Sequence, residues 1–180
     1  KWMSNMDIFQ SENLGTNVVH YQANIILSEM AQRLGQPSEA YIQRADEIKS
    51  GINNFLWMKD KGYYGQYLYG RTAKVLSPRF EALGEALSIL FEVADEHQSQ
   101  SILENSPLVN FGATCIYPQI PNIPPYHNNG IWPFVQSFWN LAAAKAGNEA
   151  ALVHGLAAIY RPTALFLSNY ENFVADNGDY

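Results

Sequence analysis

The fold is decided by the stretch 16–55, which reads TNVVHYQANIILSEMAQRLGQPSEAYIQRADEIKSGINNF. Apolar residues recur there at steps of three or four, and this period predicts two helices, from about Thr16 to Leu34 and from Ser38 to Phe55. Gly35 ends the first helix, and Ser38 is a good N-cap for the second. The predicted apolar stripes are Val19, Ala23, Ile26, Met30 and Leu34, then Tyr41, Ala45, Ile48, Ile52 and Phe55. Because the link between the helices is short, we expect an antiparallel helical hairpin.

The same period predicts four more helices, at about 78–93, 95–105, 131–146 and 149–160. Pro133 fits a first helical turn, whereas Pro162 is expected to interrupt the last helix. The glycine-rich segment 62–70 is expected to form a short β-hairpin or an extended loop, and 110–130 a long ordered loop. The sequence therefore predicts an all-α domain of antiparallel helical hairpins joined by long aromatic loops.

Composition excludes several classes of protein. The 180 residues are 47% hydrophobic and 16% charged, which fits one globular domain rather than a disordered chain. The net charge is −6, and the 11 Lys and Arg residues do not cluster, so no nucleic-acid-binding face is expected. No apolar run has the length of a membrane span. A single cysteine excludes an intrachain disulfide and is compatible with either cytoplasm or periplasm.

Known cofactor and metal motifs are missing from the sequence. The 62–70 segment lacks the Lys-Ser/Thr ending of a phosphate-binding loop, and the four histidines lack metal-ligand spacing. Cys115 is best interpreted as a small buried residue. We therefore expect neither a metal nor an organic cofactor.

The aromatic residues, 13% of the chain, indicate a different chemistry. Many stand beside Asn, Gln, Gly and Pro rather than inside apolar runs, and sugar-binding sites combine aromatic faces with amide groups in this way. Glycoside hydrolysis also needs two carboxyl groups, one on each side of the bond that breaks. The candidates, which are acids in non-helical, aromatic-rich segments, are Asp7, Glu12, Glu81, Glu171, Asp176 and Asp179.

Three segments carry a resemblance to a known family: WMSNMDIFQ at 2–10, YHNNGIWPF at 126–134 and NYENFVADNG at 169–178. Together with NLGTNV at 13–18 they resemble the catalytic domain of six-hairpin glycosidases of the glycogen-debranching, amylo-α-1,6-glucosidase type. The resemblance covers nearly the whole chain and implies an (α/α)6 toroid. Six helices are about half of such a toroid, so residues 1–180 are expected to form a single partial domain, the C-terminal half, of a longer chain.

The resemblance also implies the site residues. Its enzymes invert at the anomeric carbon, with an acid from the first segment and a base from the last, which here are Asp7 and Glu171. The family's acid directly follows Trp-Met, where this chain has Ser4. Either Asp7 takes the role, or the alignment shifts, or the acid has been lost. The expected substrate-binding residues are Trp2, Tyr64, Arg79, His127, Asn128, Asn129 and Trp132.

Purely structural roles are the alternatives for three of the residues named above. Arg79 and Glu81 could form an ion pair at a helix start, and Trp132 could be a core residue on its helical stripe.

The function expected is that of an inverting glycoside hydrolase in carbohydrate metabolism, acting on α-glucosidic bonds of glucan-type oligosaccharides. One rival is a non-catalytic carbohydrate-binding or scaffold module of the same fold, which Ser4 favours; another is a helical interaction domain without a sugar role. The expected partners are an oligosaccharide or polysaccharide and the remainder of the chain, with self-association through exposed apolar helix faces. Neither nucleic acid nor a membrane is expected, and the isolated piece should be inactive.

Overall fold

The structure, a computed structural model, describes residues 10–180. This part of the chain contains six α-helices: α1 (Leu14–Arg33), α2 (Glu39–Phe55), α3 (Ala82–Leu90), α4 (Glu96–Asn105), α5 (Pro133–Lys145) and α6 (Glu149–Phe166). It also contains nine short strands: β1 (Glu12–Asn13), β2 (Trp57–Met58), β3 (Tyr63–Tyr64), β4 (Tyr67–Tyr69), β5 (Val75–Ser77), β6 (Phe80–Glu81), β7 (Ile116–Tyr117), β8 (Gly130–Ile131) and β9 (Phe173–Val174).

The helices form a row of three pairs. Helix α1 packs against α2 and α3, α3 packs against α5, and α5 packs against α6. The helices α1, α3 and α5 therefore lie next to one another, and each has the following helix on its flank. The core between them includes Phe80 and Trp139, both fully buried, whose rings meet edge to face at 5.8 Å.

The expectation of an all-α fold is corrected by four small antiparallel sheets, ordered β1–β4–β5, β2–β3, β6–β7 and β8–β9. The glycine-rich segment 62–70 does not pair with itself. Its first half, β3, pairs with β2, and its second half, β4, lies between β1 and β5. Strands of two or three residues are too short to show an alternating period, so the sequence pattern did not reveal them.

Several predicted helix limits also shift. Helix α3 begins at Ala82 rather than near 78, because Phe80–Glu81 pairs with Ile116–Tyr117 as a strand. Helix α6 continues through Pro162 to Phe166, so the predicted interruption at this proline is wrong. Pro162 is buried, and its packing offsets the backbone hydrogen bond that a proline removes.

The apolar stripe predicted for α1 does not face the core. Val19, Ile26, Met30 and Leu34 are exposed, while the helix buries Leu14, Val18, Tyr21, Asn24, Ser28 and Ala31. Helix α6 likewise exposes Val153, Leu156, Tyr160 and Leu165. Helices α1 and α6, which belong to the two end pairs of the row, therefore turn apolar side chains outward. Apolar residues stand on more than one face of α1, so the period identified the helix but not its buried side.

Gly84 lets α1 and α3 approach closely near their N-termini, and Gly15 lies next to it. A Cβ atom on Gly84 would lie 2.9 Å from Cδ2 of Leu14 and 2.6 Å from Oε2 of Glu81. A Cβ atom on Gly15 would lie 3.6 Å from Cα of Gly84. Any side chain at Gly84 would therefore push the two helix starts apart.

Among residues 10–180, no helix has the length and apolar character needed to cross a membrane.

Two glycines inside helices give a matched test of the packing between α5 and α6. A methyl group on Gly155 of α6 would collide with Oδ1 of Asn140 and lie 2.8 Å from Nε2 of Gln136, whereas Gly51 of α2 has open space around it. We expect Gly155→Ala to lower the free energy of unfolding by roughly 1–3 kcal/mol. Gly51→Ala should raise it by up to about 1 kcal/mol, because alanine favours the helix.

Urea unfolding followed by circular dichroism measures both values. A Gly155→Ala variant as stable as the wild type would contradict the close packing of α5 and α6.

Candidate active site

The N-terminal ends of α1, α3 and α5 open onto one cleft of about 550 Å³. Its lining residues come from these helix starts and from the strands and loops before them. They are Asn13, Gly15, Thr16, Val19, Gln66, Glu81, Leu83, Leu87, Cys115, Ile116, His127, Trp132, Phe134 and Val135. The walls are mostly apolar, and a few polar groups converge between them, as in small-molecule sites generally.

The residues that cap these three helices all line the cleft. Asn13 caps α1 by accepting a hydrogen bond from the backbone N–H of Thr16 at 3.0 Å. Glu81 caps α3, and Trp132 precedes Pro133 at the start of α5 without a side-chain cap. Each cap stands directly after a short strand or at its end, so the strands β1, β6 and β8 aim the caps at the same space.

The Glu81 carboxylate is the acidic group on the cleft wall. Its two oxygens accept hydrogen bonds from the backbone N–H groups of Leu83, at 3.2 Å, and Gly84, at 3.0 Å. Burial nevertheless raises the pKa of this carboxyl to about 7, since the two hydrogen bonds only partly offset the lost hydration. Near neutral pH, Glu81 can therefore act as a donor or as an acceptor towards a ligand.

A second carboxyl lies one helical turn behind it. Glu85 is fully buried and accepts a hydrogen bond from the backbone N–H of Tyr64 at 2.8 Å, and its Oε2 has no hydrogen-bond partner among the described residues. Burial raises the pKa of Glu85 well above its usual value, and the Glu81 charge adds to this rise. Glu85 is not a cleft-lining residue and lies behind the cleft wall.

Two aromatic rings form a wall of the cleft, and a third ring packs against them without lining it. The His127 and Trp132 rings stack at 4.8 Å with an interplanar angle of 9°, and the Tyr126 ring meets both edge to face. The indole N–H of Trp132 donates to the Tyr126 carbonyl at 2.9 Å, which fixes the wall's orientation. Burial lowers the pKa of His127, whereas the nearby Glu171 carboxylate raises it.

The loop that carries this wall is held from within by Asn128. Its side-chain oxygen accepts from the backbone N–H of Ile120 at 2.6 Å. Its amide group donates to the carbonyls of Ile120, at 3.2 Å, and Ile123, at 2.9 Å. The asparagine is almost fully buried, so it supports the wall from behind.

Glu171 lies in the bend that joins α6 to β9. Strand β9 pairs antiparallel with β8, with Val174 opposite Gly130 and Phe173 opposite Ile131. Continuing this register by one residue sets Asn172 opposite Trp132. Glu171 is exposed, and its charge acts on His127, so the structure brings Glu171 to the aromatic wall.

The structure brings together some of the residues predicted from sequence and separates others. His127 and Trp132 line the cleft, and Asn128 and Asn129 are buried in the loop behind them. Tyr64 is fully buried in the core, where its hydroxyl donates to Asn53 at 2.7 Å.

The remaining predicted residues lie away from the cleft or outside the described part of the chain. Arg79 is half-buried beside β6 and is not among the lining residues. Glu81 makes its hydrogen bonds to the start of α3, rather than the ion pair with Arg79 that the sequence allowed. Trp2 and Asp7 lie outside the described residues.

Sequence reasoning missed several polar groups. Asn13, Gln66 and Thr16 line the cleft, and Glu85 lies below it, yet none of them was a candidate. Asn13 had a usable signal, since an asparagine before an apolar helix start is a typical N-cap. Glu85 had no usable sequence signal, because nothing local distinguishes a buried acid from a solvated one on the same helix.

Within residues 10–180, no group of three or more His, Cys, Asp or Glu side chains is arranged to hold a metal ion. Cys115 lines the cleft but is buried, and burial raises the pKa of its thiol to about 12. The thiol is therefore protonated at neutral pH and unsuited to nucleophilic chemistry.

Comparison with known proteins gives structural matches only. No protein-family model and no curated protein sequence matches the chain. The solved structure of neutral trehalase Nth1 from Saccharomyces cerevisiae superimposes with a TM-score of 0.76 at 12% identity, over 92% of this chain and 34% of that protein. A mannosylglycerate hydrolase of family GH63 from Thermus thermophilus, in complex with glucose, gives 0.75 at 14% identity, over 94% and 43%. A protein described as a sialidase gives 0.77 at 18% identity, over 94% of this chain and 18% of that one.

The chain thus spans less than half the length of these proteins. At such low identity the likeness shows the fold alone. That fold is one used by glycoside hydrolases, in agreement with the six-hairpin glycosidase expectation in outline, and the likeness does not single out the debranching type.

The raised pKa of Glu81 predicts a pH-dependent stability. The carboxyl holds its proton more tightly in the folded state, with a pKa of about 7 against 4.5 as the ordinary value, so stability falls as pH rises through this window, by roughly 3 kcal/mol. We expect Glu81→Gln to remove this part of the decline, and urea unfolding at several pH values measures it. Glu104→Gln, on an exposed position of α4, is the control. If the free energy of unfolding of Glu81→Gln falls with rising pH as steeply as that of the wild type, the enclosed position of this carboxyl is contradicted.

Proposed function

We propose that the chain is part of an inverting glycoside hydrolase that cleaves α-glucosidic bonds in glucan-type oligosaccharides, in the manner of the debranching-type enzymes. The observation that carries the proposal is the placement of Glu171. Its segment pairs through β9 with the strand that leads into Trp132, beside the stacked His127 and Trp132 rings. A carboxylate at an aromatic wall is what a glycosidase needs where a sugar ring stacks and a water attacks.

In this proposal Glu171 is the general base. It takes a proton from a water molecule, whose oxygen attacks the anomeric carbon from the face opposite the leaving group. Asp7 is the general acid and protonates the glycosidic oxygen as its bond to the anomeric carbon breaks. The two carboxyl groups should then lie roughly 6.5–9.5 Å apart, which leaves room for the water.

In this proposal the sugar binds in the cleft. Trp132 and His127 offer a flat aromatic surface, and the Glu81 carboxyl offers a partner for a sugar hydroxyl. Trp2 completes the proposed set. Arg79 is left out because it lies away from the cleft, and Asn128 and Asn129 act by holding the loop rather than by facing the sugar. No metal or organic cofactor is required for this chemistry.

The substrate range has two sources of support. The sequence resemblance favours a glucan-type α-glucoside. The structural neighbours include proteins named as a trehalase and a mannosylglycerate hydrolase, which supports small glycosides as rival substrates. Comparing maltotriose, isomaltose, trehalose and mannosylglycerate at equal concentrations separates these possibilities.

A non-catalytic carbohydrate-binding module of the same fold is the second candidate function. Ser4 stands where the resemblance places an acidic residue, and this favours a site that binds a sugar without cleaving it. Sugar binding by calorimetry, with no hydrolysis of any of the four substrates by the full-length protein, would establish this alternative. Neither binding nor hydrolysis would favour a helical interaction domain.

The general base gives the central prediction. In the full-length protein, Glu171→Gln removes the proton acceptor and changes the side-chain volume little, so we expect kcat to fall by at least about 10²-fold while sugar binding persists. Proton NMR of the first product formed should show the anomer of inverted configuration. Glu149→Gln, at an exposed position on α6, is the matched control. Full activity in Glu171→Gln, or a product of retained configuration, would overturn the assignment.

The outward apolar faces of α1 and α6 are proposed to be covered, either by the remainder of a longer chain or by a second copy of this one. Large side chains such as Met30, at 53% exposure, and Leu156, also at 53%, are costly to leave in water.

We therefore expect the 180-residue chain to self-associate at high concentration, as measured by light scattering. Met30→Glu with Leu156→Glu should shift it towards the monomer. A clean monomer of the wild-type chain at high concentration would contradict this view.

A further inference from the structure

The bend that carries Glu171 and the loop that carries the aromatic wall are joined by more than one contact. Strands β8 and β9 contribute two residue pairs, Gly130 with Val174 and Ile131 with Phe173. The backbone N–H of Ala175 then donates to the carbonyl of Asn129 at 2.9 Å. The contacts between the two segments therefore continue beyond the strands, on the side away from Glu171.

Asp176 extends this connection through its side chain. One carboxylate oxygen accepts from the amide of Asn129 at 2.8 Å, and the other accepts from the amide of Gln119 at 3.1 Å. Gln119 also donates to the side-chain oxygen of Asn129, so the three side chains form a closed triangle of hydrogen bonds. These hydrogen bonds lower the pKa of Asp176, so the carboxylate is ionised at neutral pH.

Asn129 is the fixed member of the triangle. It is 8% exposed and has a left-handed backbone conformation, with φ at 51°, which asparagine tolerates better than most residues. Its carbonyl and its side chain hold the same neighbouring segment, through Ala175 and Asp176. It also stands two residues after His127 and three before Trp132, so it links that segment to both rings of the wall.

Glu171 has no comparable anchor of its own. Its side chain is exposed and makes no hydrogen bond with the residues that the structure describes. The position of its carboxylate is therefore set by the path of the backbone from α6 into β9. A strand pair of only two residues is a weak constraint by itself.

We propose that Asp176 is a positioning residue, which holds the Glu171 segment against the His127–Trp132 wall through its hydrogen bonds to Asn129 and Gln119. The inference rests on the proposed function, because it matters for catalysis only if Glu171 is the base. Misplacement of a catalytic group by about 1 Å can cost on the order of 10²-fold in rate. Asp176 touches no reacting atom in this proposal and acts entirely through the backbone that carries Glu171.

The kinetic test compares two acids of the same turn. In the full-length protein, Asp176→Ala removes both acceptors, and we expect kcat to fall by roughly 10–10²-fold with little change in KM. Asp176→Asn keeps one acceptor and should lie between this variant and the wild type. Asp179→Ala is the matched control, since the Asp179 side chain accepts only from the backbone N–H of Tyr180 among the described residues. Its kcat should stay within about twofold of the wild type.

The second readout does not depend on activity. The Glu171 charge raises the pKa of His127, so this histidine reports the distance to Glu171. In NMR titrations of the intact protein, Glu171→Gln should lower the His127 pKa. Asp176→Ala should lower it in the same direction, because the released segment carries the charge away. In the double variant the His127 pKa should fall little further, and in Asp179→Ala it should equal the wild-type value.

The outcomes separate this proposal from the proposed function. If Asp176→Ala, still folded by circular dichroism, leaves the His127 pKa unchanged while Glu171→Gln lowers it, Asp176 does not position Glu171 and the inference is overturned. An unchanged pKa in Glu171→Gln also overturns it. If both variants lower the pKa but Glu171→Gln remains fully active, the positioning is established and the general-base assignment fails.

Discussion

The rest of the structure depends on the close approach of α1 and α3 at Gly84. A side chain at this position would collide with the Glu81 carboxylate and with Leu14 of α1, whereas glycine lets the carboxylate fit between the two helix starts, where its oxygens reach the first N–H groups of α3. The same approach sets the caps Asn13 and Glu81 side by side. Because α5 packs on the other side of α3, its first residues join the same space, and the cleft follows from this spacing.

Two carboxyl groups, Glu81 on the cleft wall and Glu85 behind it, stand where apolar residues would cost less free energy to bury. Glu81 has two backbone donors and Glu85 has one, so neither carboxylate regains the hydration that it loses. Each pKa rises as a result, and the charge of Glu81 raises the pKa of Glu85 further. A cap formed by asparagine, as Asn13 shows on α1, would hold α3 without this penalty. Glu81 therefore caps α3 at a cost that an asparagine cap would avoid, and it lines the cleft.

Features that depend on the local spacing of apolar residues could be predicted from the sequence. Features that depend on contacts between distant segments could not. The six helices came from apolar residues at helical spacing, which reflects local geometry. The stripe predicted for α1 proved exposed, because a helix with apolar residues on several faces does not reveal which neighbour it meets. The short strands and the Asp176–Asn129–Gln119 triangle join segments up to 57 residues apart, and no local pattern encodes such a pairing. The aromatic wall was predictable, since Tyr126, His127 and Trp132 stand within one short segment.

The two carboxyl groups near the aromatic wall have opposite surroundings, and this difference bears on the mechanism. Glu81 is enclosed and fixed by the backbone of α3, so it is suited to holding a sugar hydroxyl in one orientation. Glu171 is exposed and lacks a side-chain anchor among the described residues, so a water molecule has access to it. A general base in an inverting reaction must take the proton from such a water. In the proposed reaction, burial therefore separates the two roles: the fixed Glu81 would orient the substrate, and the exposed Glu171 would activate the water.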